Sequence, residues 1–182
     1  MKKHIPLTQQ LYCCVPTCIQ MILLKRSIPL PSQEEIGYHL GLIVPKKDKN
    51  LFQKVRTGKK PKAGWGTQVG EKAYSINSFF KKNKINLKEN YFFLTEPEEI
   101  KKFLKENLKN KDIIVCFNYS KLYGTKGNSG HVSIVEDIKG NQITLIDPER
   151  NVPKYRRVSL EKLSESIKSH GKEKRGGFWV IY

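Results

Sequence analysis

The chain has 182 residues, 38% of them hydrophobic, four cysteines, and 34 Lys and Arg against 17 Asp and Glu for a net charge of +17. Its apolar residues come in short runs, enough for one packed domain over 1–182 and too discontinuous for a membrane-spanning helix. The charge raises nucleic acid or another polyanion as a partner. The lysines are scattered through stretches such as "IKKFLKENLKNK" and "RTGKKPK" with no RNA-binding aromatic signature, so solvated faces are the favoured reading.

The opening "MKKHIPLTQQ" is basic like the start of a signal peptide, but Pro6, Thr8, Gln9 and Gln10 interrupt any apolar segment. Four cysteines without the spacing of a disulfide framework point the same way, to reduced thiols and a cytoplasmic setting. Pro16 to Lys25 reads as a buried helix, with Pro16 in its first turn and Cys18, Ile19, Ile22 and Leu23 at helical spacing. Ser32 and Glu35 form a capping box for a second helix. Residues 45 to 72 are basic and rich in Gly and Pro, and are expected to form a long loop or insertion. A third helix covers "YSINSFFKKN" and "NYFFL" is a short strand. Thr95 and Glu98 are expected to cap a helix that puts Ile100, Phe103, Leu104 and Leu108 on one stripe. "DIIVCFNY" is a buried strand, "HVSIVEDI" and "QITLID" form a hairpin around "KGN", and a helix near "SLEKLSESIKSH" precedes the closing strand "GFWVIY". Helices early and strands late predict an α+β fold, with the N-terminal helices packed on a mostly antiparallel sheet.

The cysteines at positions 13, 14 and 18 crowd the start of the first helix. A thiol is a nucleophile as thiolate, and a helix N-terminus stabilises that anion through unpaired N–H groups and the positive end of its dipole. Hydrolysis also needs a base and a group to orient that base. His131 opens one strand of the predicted hairpin and Asp147 closes the other. A turn centred on Lys139 sets them opposite each other, with Cβ atoms about 5 Å apart, and a slip of one or two residues leaves them neighbours. The developing oxyanion needs donors as well. Gln9 and Gln10, five and four residues before Cys14, are both placed to supply one beside the Cys14 N–H. Asn118 is a rival orienting group. Zinc binding by Cys13, Cys14 and Cys18 lacks a second ligand pair, so no metal or cofactor is expected. Cys18 and Cys116 read as core residues.

These residues resemble the papain-like superfamily and, within it, peptidases related to the bacteriocin-processing, double-glycine-leader cysteine peptidases. "CVPTCIQM" matches with Cys14, Pro16 and Met21 in step, and "GHVSIVEDIKGNQITLIDP" matches with His131 and Asp147. The chain departs from the family pattern at Val15, where Gly is usual, and at Cys13, where Asp is frequent. The resemblance implies a papain-like fold and a Cys-His-Asp thiol hydrolase acting on a peptide or protein. An acyltransferase or deamidase would use the same triad, and the alternative outside enzymes is a non-catalytic basic module binding nucleic acid or another polyanion.

Overall fold

A computed structural model describes residues 3–182, so Met1 and Lys2 of the basic opening lie outside it. Helix α1 spans Cys14–Lys25. It begins two residues before Pro16, because a proline fits inside a first turn, where no N–H is needed. Helix α2 (Gln33–His39) starts at the expected cap, with Ser32 Oγ accepting the Glu35 N–H at 3.1 Å. The basic stretch that follows, residues 45–72, is a long connection that carries only short elements. Strands β1 (Ile43–Val44) and β2 (Arg56–Thr57) pair in parallel, and 3-10 turns form at Lys46–Leu51 and Lys72–Tyr74.

Helix α3 (Ile76–Lys82) and strand β3 (Glu89–Phe92) follow, then helix α4 at Pro97–Asn107. The Thr95 capping box does not form. Glu96 is the N-cap and Pro97 takes the first helical position, leaving the Thr95 carbonyl to accept the Ser164 hydroxyl at 2.5 Å. Strand β4 (Asp112–Asn118), helix α5 (Tyr119–Tyr123), strands β5 (Gly130–Lys139), β6 (Gln142–Ile146) and β7 (Tyr155–Ser159), helix α6 (Leu160–His170) and strand β8 (Gly177–Ile181) complete the chain.

Six strands form one antiparallel sheet in the order β3-β8-β4-β5-β6-β7. All seven β4 residues are buried, so both of its faces are covered. Ile114, Cys116, Val132, Ile134 and Trp179 pack with Cys18, Ile19 and Ile22 of α1, Ile36 of α2, and Phe79 and Phe80 of α3. The alternate residues Ile113, Val115, Phe117, Phe178 and Val180 pack with Ile100 and Leu104 of α4 and with Leu160, Leu163 and Ile167 of α6. The period-two pattern of a strand thus divides one sheet between two cores. Each fully buried aliphatic or aromatic side chain stabilises it by about 1.5–3 kcal/mol. No helix among the described residues is long and apolar enough to cross a membrane.

The β5–β6 register differs from the predicted one. Lys139 pairs with Gln142 around a two-residue loop of Gly140 and Asn141, with Gly140 at φ +59°. A bulge between Val135 and Asp137 then resets the pairing to Ile134 with Ile146. That register sets Ser133, not His131, across from Asp147. His131 and Asp147 are therefore diagonal neighbours.

The bulge also frees Glu136, whose carboxylate binds His4 Nδ1 at 2.6 Å; His4 Nε2 binds Asp112 Oδ1 at 2.9 Å. Asp112 further accepts Lys25 Nζ and Arg26 Nε, each at 2.6 Å. Burial alone would lower the His4 pKa, but the two carboxylates outweigh it and raise it. A histidine whose folded pKa is raised contributes stability that is full below its unfolded value of about 6.5 and is lost as pH rises through the folded value. Thermal unfolding will therefore show a larger Tm loss for His4→Gln at pH ~6 than at pH ~9. An equal loss at both pH values would mean that His4 acts by packing alone.

Candidate active site

Cys14 is the first residue of α1 and is half-buried. Its N-cap, Cys13, makes no side-chain cap bond, and among the described residues neither the Cys14 nor the Val15 N–H has an acceptor. Pro16 has no N–H. The helix dipole and two free donors thus surround the Cys14 backbone. Just before it, Tyr12 adopts φ +66°, a left-handed conformation that costs a non-glycine residue about 1–3 kcal/mol. Its hydroxyl donates to Asp48 Oδ2 at 2.7 Å, and burial and that carboxylate push the phenol pKa up to about 12. The strained turn is held by a bond to the basic segment.

His131 stands at the start of β5, 5% exposed, with Phe117 and Tyr119 edge-on to its ring. Gly130 precedes it for a steric reason: a Cβ there would lie 2.4 Å from the His170 ring. A larger residue would push β5 and His131 out of place. His131 Nε2 donates to Asp147 Oδ1 at 2.7 Å, and the Cys14 side chain is near enough to the same ring to bear on its pKa. Burial by itself would lower the imidazole pKa. The bond to Asp147 and the contact with Cys14 outweigh it and raise the value to about 10.

Asp147 is fully buried. Desolvation would raise its pKa, yet the hydrogen bond and charge of His131, the Glu149 N–H at 3.0 Å and the Arg156 charge together hold it below the usual carboxylate range. Arg156 Nη1 donates to Asp147 Oδ2 at 3.3 Å, and the guanidinium lies over the Tyr123 ring, 3.2 Å from its centroid. Arg156 carries no signal in the sequence, because β7 is a short, polar edge strand. Register alone, through Leu145 opposite Arg156, aims it at Asp147.

The two glutamines separate. Gln9 is 7% exposed; its N–H donates to the Pro148 carbonyl at 2.8 Å and its Nε2 to Glu149 Oε2 at 2.9 Å, while its Oε1 is buried without a partner. Gln10 is exposed, and its backbone N–H is bound by Gln33 Oε1 at 2.6 Å. Only Gln9 lies against the strand end that carries Asp147. Asn118 faces elsewhere, its amide donating to Asn128 Oδ1 and Ser169 Oγ and its Oδ1 capping α5. The other cysteines are dispersed. Cys13 packs with Leu42 and Val44, Cys18 Sγ contacts the Val132 carbonyl at 3.8 Å, and Cys116 is buried within β4. No three His, Cys, Asp or Glu side chains among the described residues converge as a metal site.

The chain is similar over its whole length to solved structures. One, a double glycine motif protease from an AMS/PCAT transporter in complex with the leader peptide, is 13% identical with a TM-score of 0.55, covering 98% of this chain and 89% of that one. Another, described as a C39-like peptidase from Bacillus anthracis, is 13% identical with a TM-score of 0.61, covering 100% of this chain and 98% of that one. The fold is that of the papain-like C39 peptidases. No family model and no curated protein sequence matches the chain. Within this papain-like fold, Cys14 begins the first helix and His131 begins a sheet strand beside Asp147.

Burial pushes the Cys13 thiol up to about 12 and those of Cys18 and Cys116 well above their ordinary value. Iodoacetamide near neutral pH is therefore expected to alkylate Cys14 at least about tenfold faster than the other three, read by peptide mass spectrometry. Equal rates would mean that Cys14 gains nothing from the helix end and the imidazole.

Proposed function

We propose that this chain is a thiol hydrolase that cleaves peptide bonds, with Cys14 as nucleophile, His131 as base and acid, and Asp147 holding the imidazole. The carrying observation is the His131 ring, bonded to buried Asp147 through Nε2 at 2.7 Å, with the Cys14 side chain near enough to help raise the imidazole pKa. The protonated imidazole supplies the counter-charge that a thiolate needs.

Cys14 Sγ attacks the scissile carbonyl, and the electron pair moves onto the carbonyl oxygen. The Cys14 N–H is free to bind that oxyanion, and the Gln9 amide has one N–H uncommitted after its bond to Glu149. As the intermediate collapses, the C–N bond breaks and His131 gives its proton to the departing amine, leaving a thioester on Cys14. Water, deprotonated by His131, then attacks the thioester, releasing the acid and restoring the thiol. Buried and tied to Arg156, Asp147 keeps the ring in one orientation throughout.

Labelling by a peptide electrophile checks the assignment. Cys14→Ala will abolish it, whereas Cys13→Ala will retain it. His131→Ala will slow it by about 10²-fold or more. Gln9→Ala will lower amide cleavage by about 10–10³-fold, and Gln10→Ala will leave it near wild type. Labelling that survives in Cys14→Ala would overturn the proposal.

The imidazole also sets a pH limit. With its pKa raised to about 10, His131 can protonate the leaving amine below that value and not above it. Amide cleavage should fall about tenfold per unit above that pH while iodoacetamide alkylation of Cys14 does not. Parallel pH profiles for the two reactions would remove His131 from the acid role.

A further inference from the structure

The segment 46–62 carries eight Lys and Arg and one acidic residue, against two to one in the chain as a whole. All eight basic side chains are exposed. The one acid, Asp48, is turned inward onto the Tyr12 hydroxyl. Among the described residues the one side-chain ion pair made by any of the eight is Lys62 to Glu173 at 3.9 Å, both almost fully exposed, while the Glu34 carboxylate accepts the Lys54 backbone N–H. An ion pair that open to water contributes little. The segment therefore keeps a large positive excess on an exposed surface.

The segment is also pinned beside the nucleophile. Phe52 and Val55 pack against the cluster of Cys13, Leu42 and Val44, and Tyr12 is tied to Asp48 two residues before Cys14. Ile43 and Gly66 exchange backbone hydrogen bonds at 3.0 and 2.9 Å, and the Val69 carbonyl accepts Arg175 Nη1 at 3.1 Å, which anchors the far end. A one-signed field on an anchored rim concentrates oppositely charged ligands at that rim.

We propose that the segment 46–62 is a docking surface for an acidic stretch of the polypeptide substrate, lying next to the bond that Cys14 attacks. This rests on the peptidase reading above. Two observations favour an acidic polypeptide over nucleic acid. The rim adjoins a thiol that needs an acyl carbonyl, which a polypeptide supplies along with its carboxylates. A single-stranded nucleic acid needs exposed aromatic rings to stack on, whereas the one aromatic of the segment, Phe52, is packed against Cys13.

Binding is measured by fluorescence anisotropy on full-length Cys14→Ala. The probes are a labelled peptide carrying six consecutive glutamates, a neutral peptide of equal length, and a single-stranded DNA oligonucleotide. The acidic peptide should bind at least about tenfold more tightly than the neutral one at ~50 mM salt, and that advantage should shrink about tenfold by ~300 mM. It should also weaken at least about fivefold in Lys46→Glu/Lys47→Glu/Lys49→Glu and in the milder Lys59→Gln/Lys60→Gln/Lys62→Gln. Equal binding of the two peptides, affinity unchanged in both variants, or tighter binding of the oligonucleotide than of the acidic peptide would each overturn the proposal. Binding to Cys14→Ala needs no cleavage. A wild-type protein that docks the acidic peptide but is not labelled by a peptide electrophile would therefore sink the peptidase reading and leave the acidic surface standing.

Discussion

A carboxylate with no access to water must be compensated from every side, and Asp147 imposes that requirement on everything around it. The His131 imidazole, the Glu149 N–H and the Arg156 guanidinium meet it from β5, from the chain after β6 and from β7. Each of those groups is then held in turn. His131 is walled by Phe117 and Tyr119, Arg156 is stacked on Tyr123, and Glu149 accepts the Gln9 amide. Gln9 is tied back again, since its N–H donates to the Pro148 carbonyl and its own carbonyl accepts Arg150 Nε at 2.8 Å. The strap of residues 147–150 thus connects the buried acid to the chain that leads into Cys14.

Helix α1 completes the arrangement by its length. Twelve residues rise about 18 Å, and β5 covers about 17 Å between His131 and Glu136. At one end of this pair Cys14 bears on the pKa of His131; at the other, Lys25 and Arg26 bind Asp112, while Glu136 binds His4. The contacts at the two ends leave the helix no freedom to slide along the strand, and Cys18, Ile19 and Ile22 fill the space between with apolar packing. The thiol chemistry proposed for Cys14 requires this kind of rigidity, because a displacement of about 1 Å costs such a reaction about 10²-fold.

Much of this is legible in the sequence, and the exceptions have physical causes. The alternation around "KGN" reveals the hairpin and brings His131 near Asp147, since a slip of two residues still leaves diagonal neighbours in reach. The bulge at Glu136 is invisible because nothing local marks it; its carboxylate answers to His4, 132 residues away in the chain. Strand β7 has too few apolar residues to announce itself, so Arg156 could not be placed. Gln9 and Gln10 sit in a segment without periodicity, and a single backbone bond to Pro148 decides which of them is buried. Tyr12 carries none of the glycine or asparagine signals of a left-handed residue; its conformation is held by Asp48. Local signals therefore report elements, while the partners of buried charges come from register.

Two buried histidine–aspartate pairs occur among the described residues, and comparing them identifies what chemistry requires. His4 has a carboxylate on each ring nitrogen, and its Asp112 is further held by Lys25 and Arg26. Its imidazole has nothing left to offer a substrate; it is a charged fastener between the N-terminal segment and the sheet. His131 has a carboxylate on one nitrogen, no hydrogen-bond partner among the described residues on the other, and the half-buried Cys14 among the groups that raise its pKa. Both rings are raised in pKa by their partners, so a perturbed titration does not distinguish structure from catalysis. The difference is the unspent nitrogen and the free N–H groups at the start of α1. At the far end of the same helix, Lys25 lies in the last turn and Arg26 is the C-cap, at a terminus whose polarity suits cations and would oppose a thiolate. The direction of α1 therefore determines which of the two pairs can support nucleophilic chemistry.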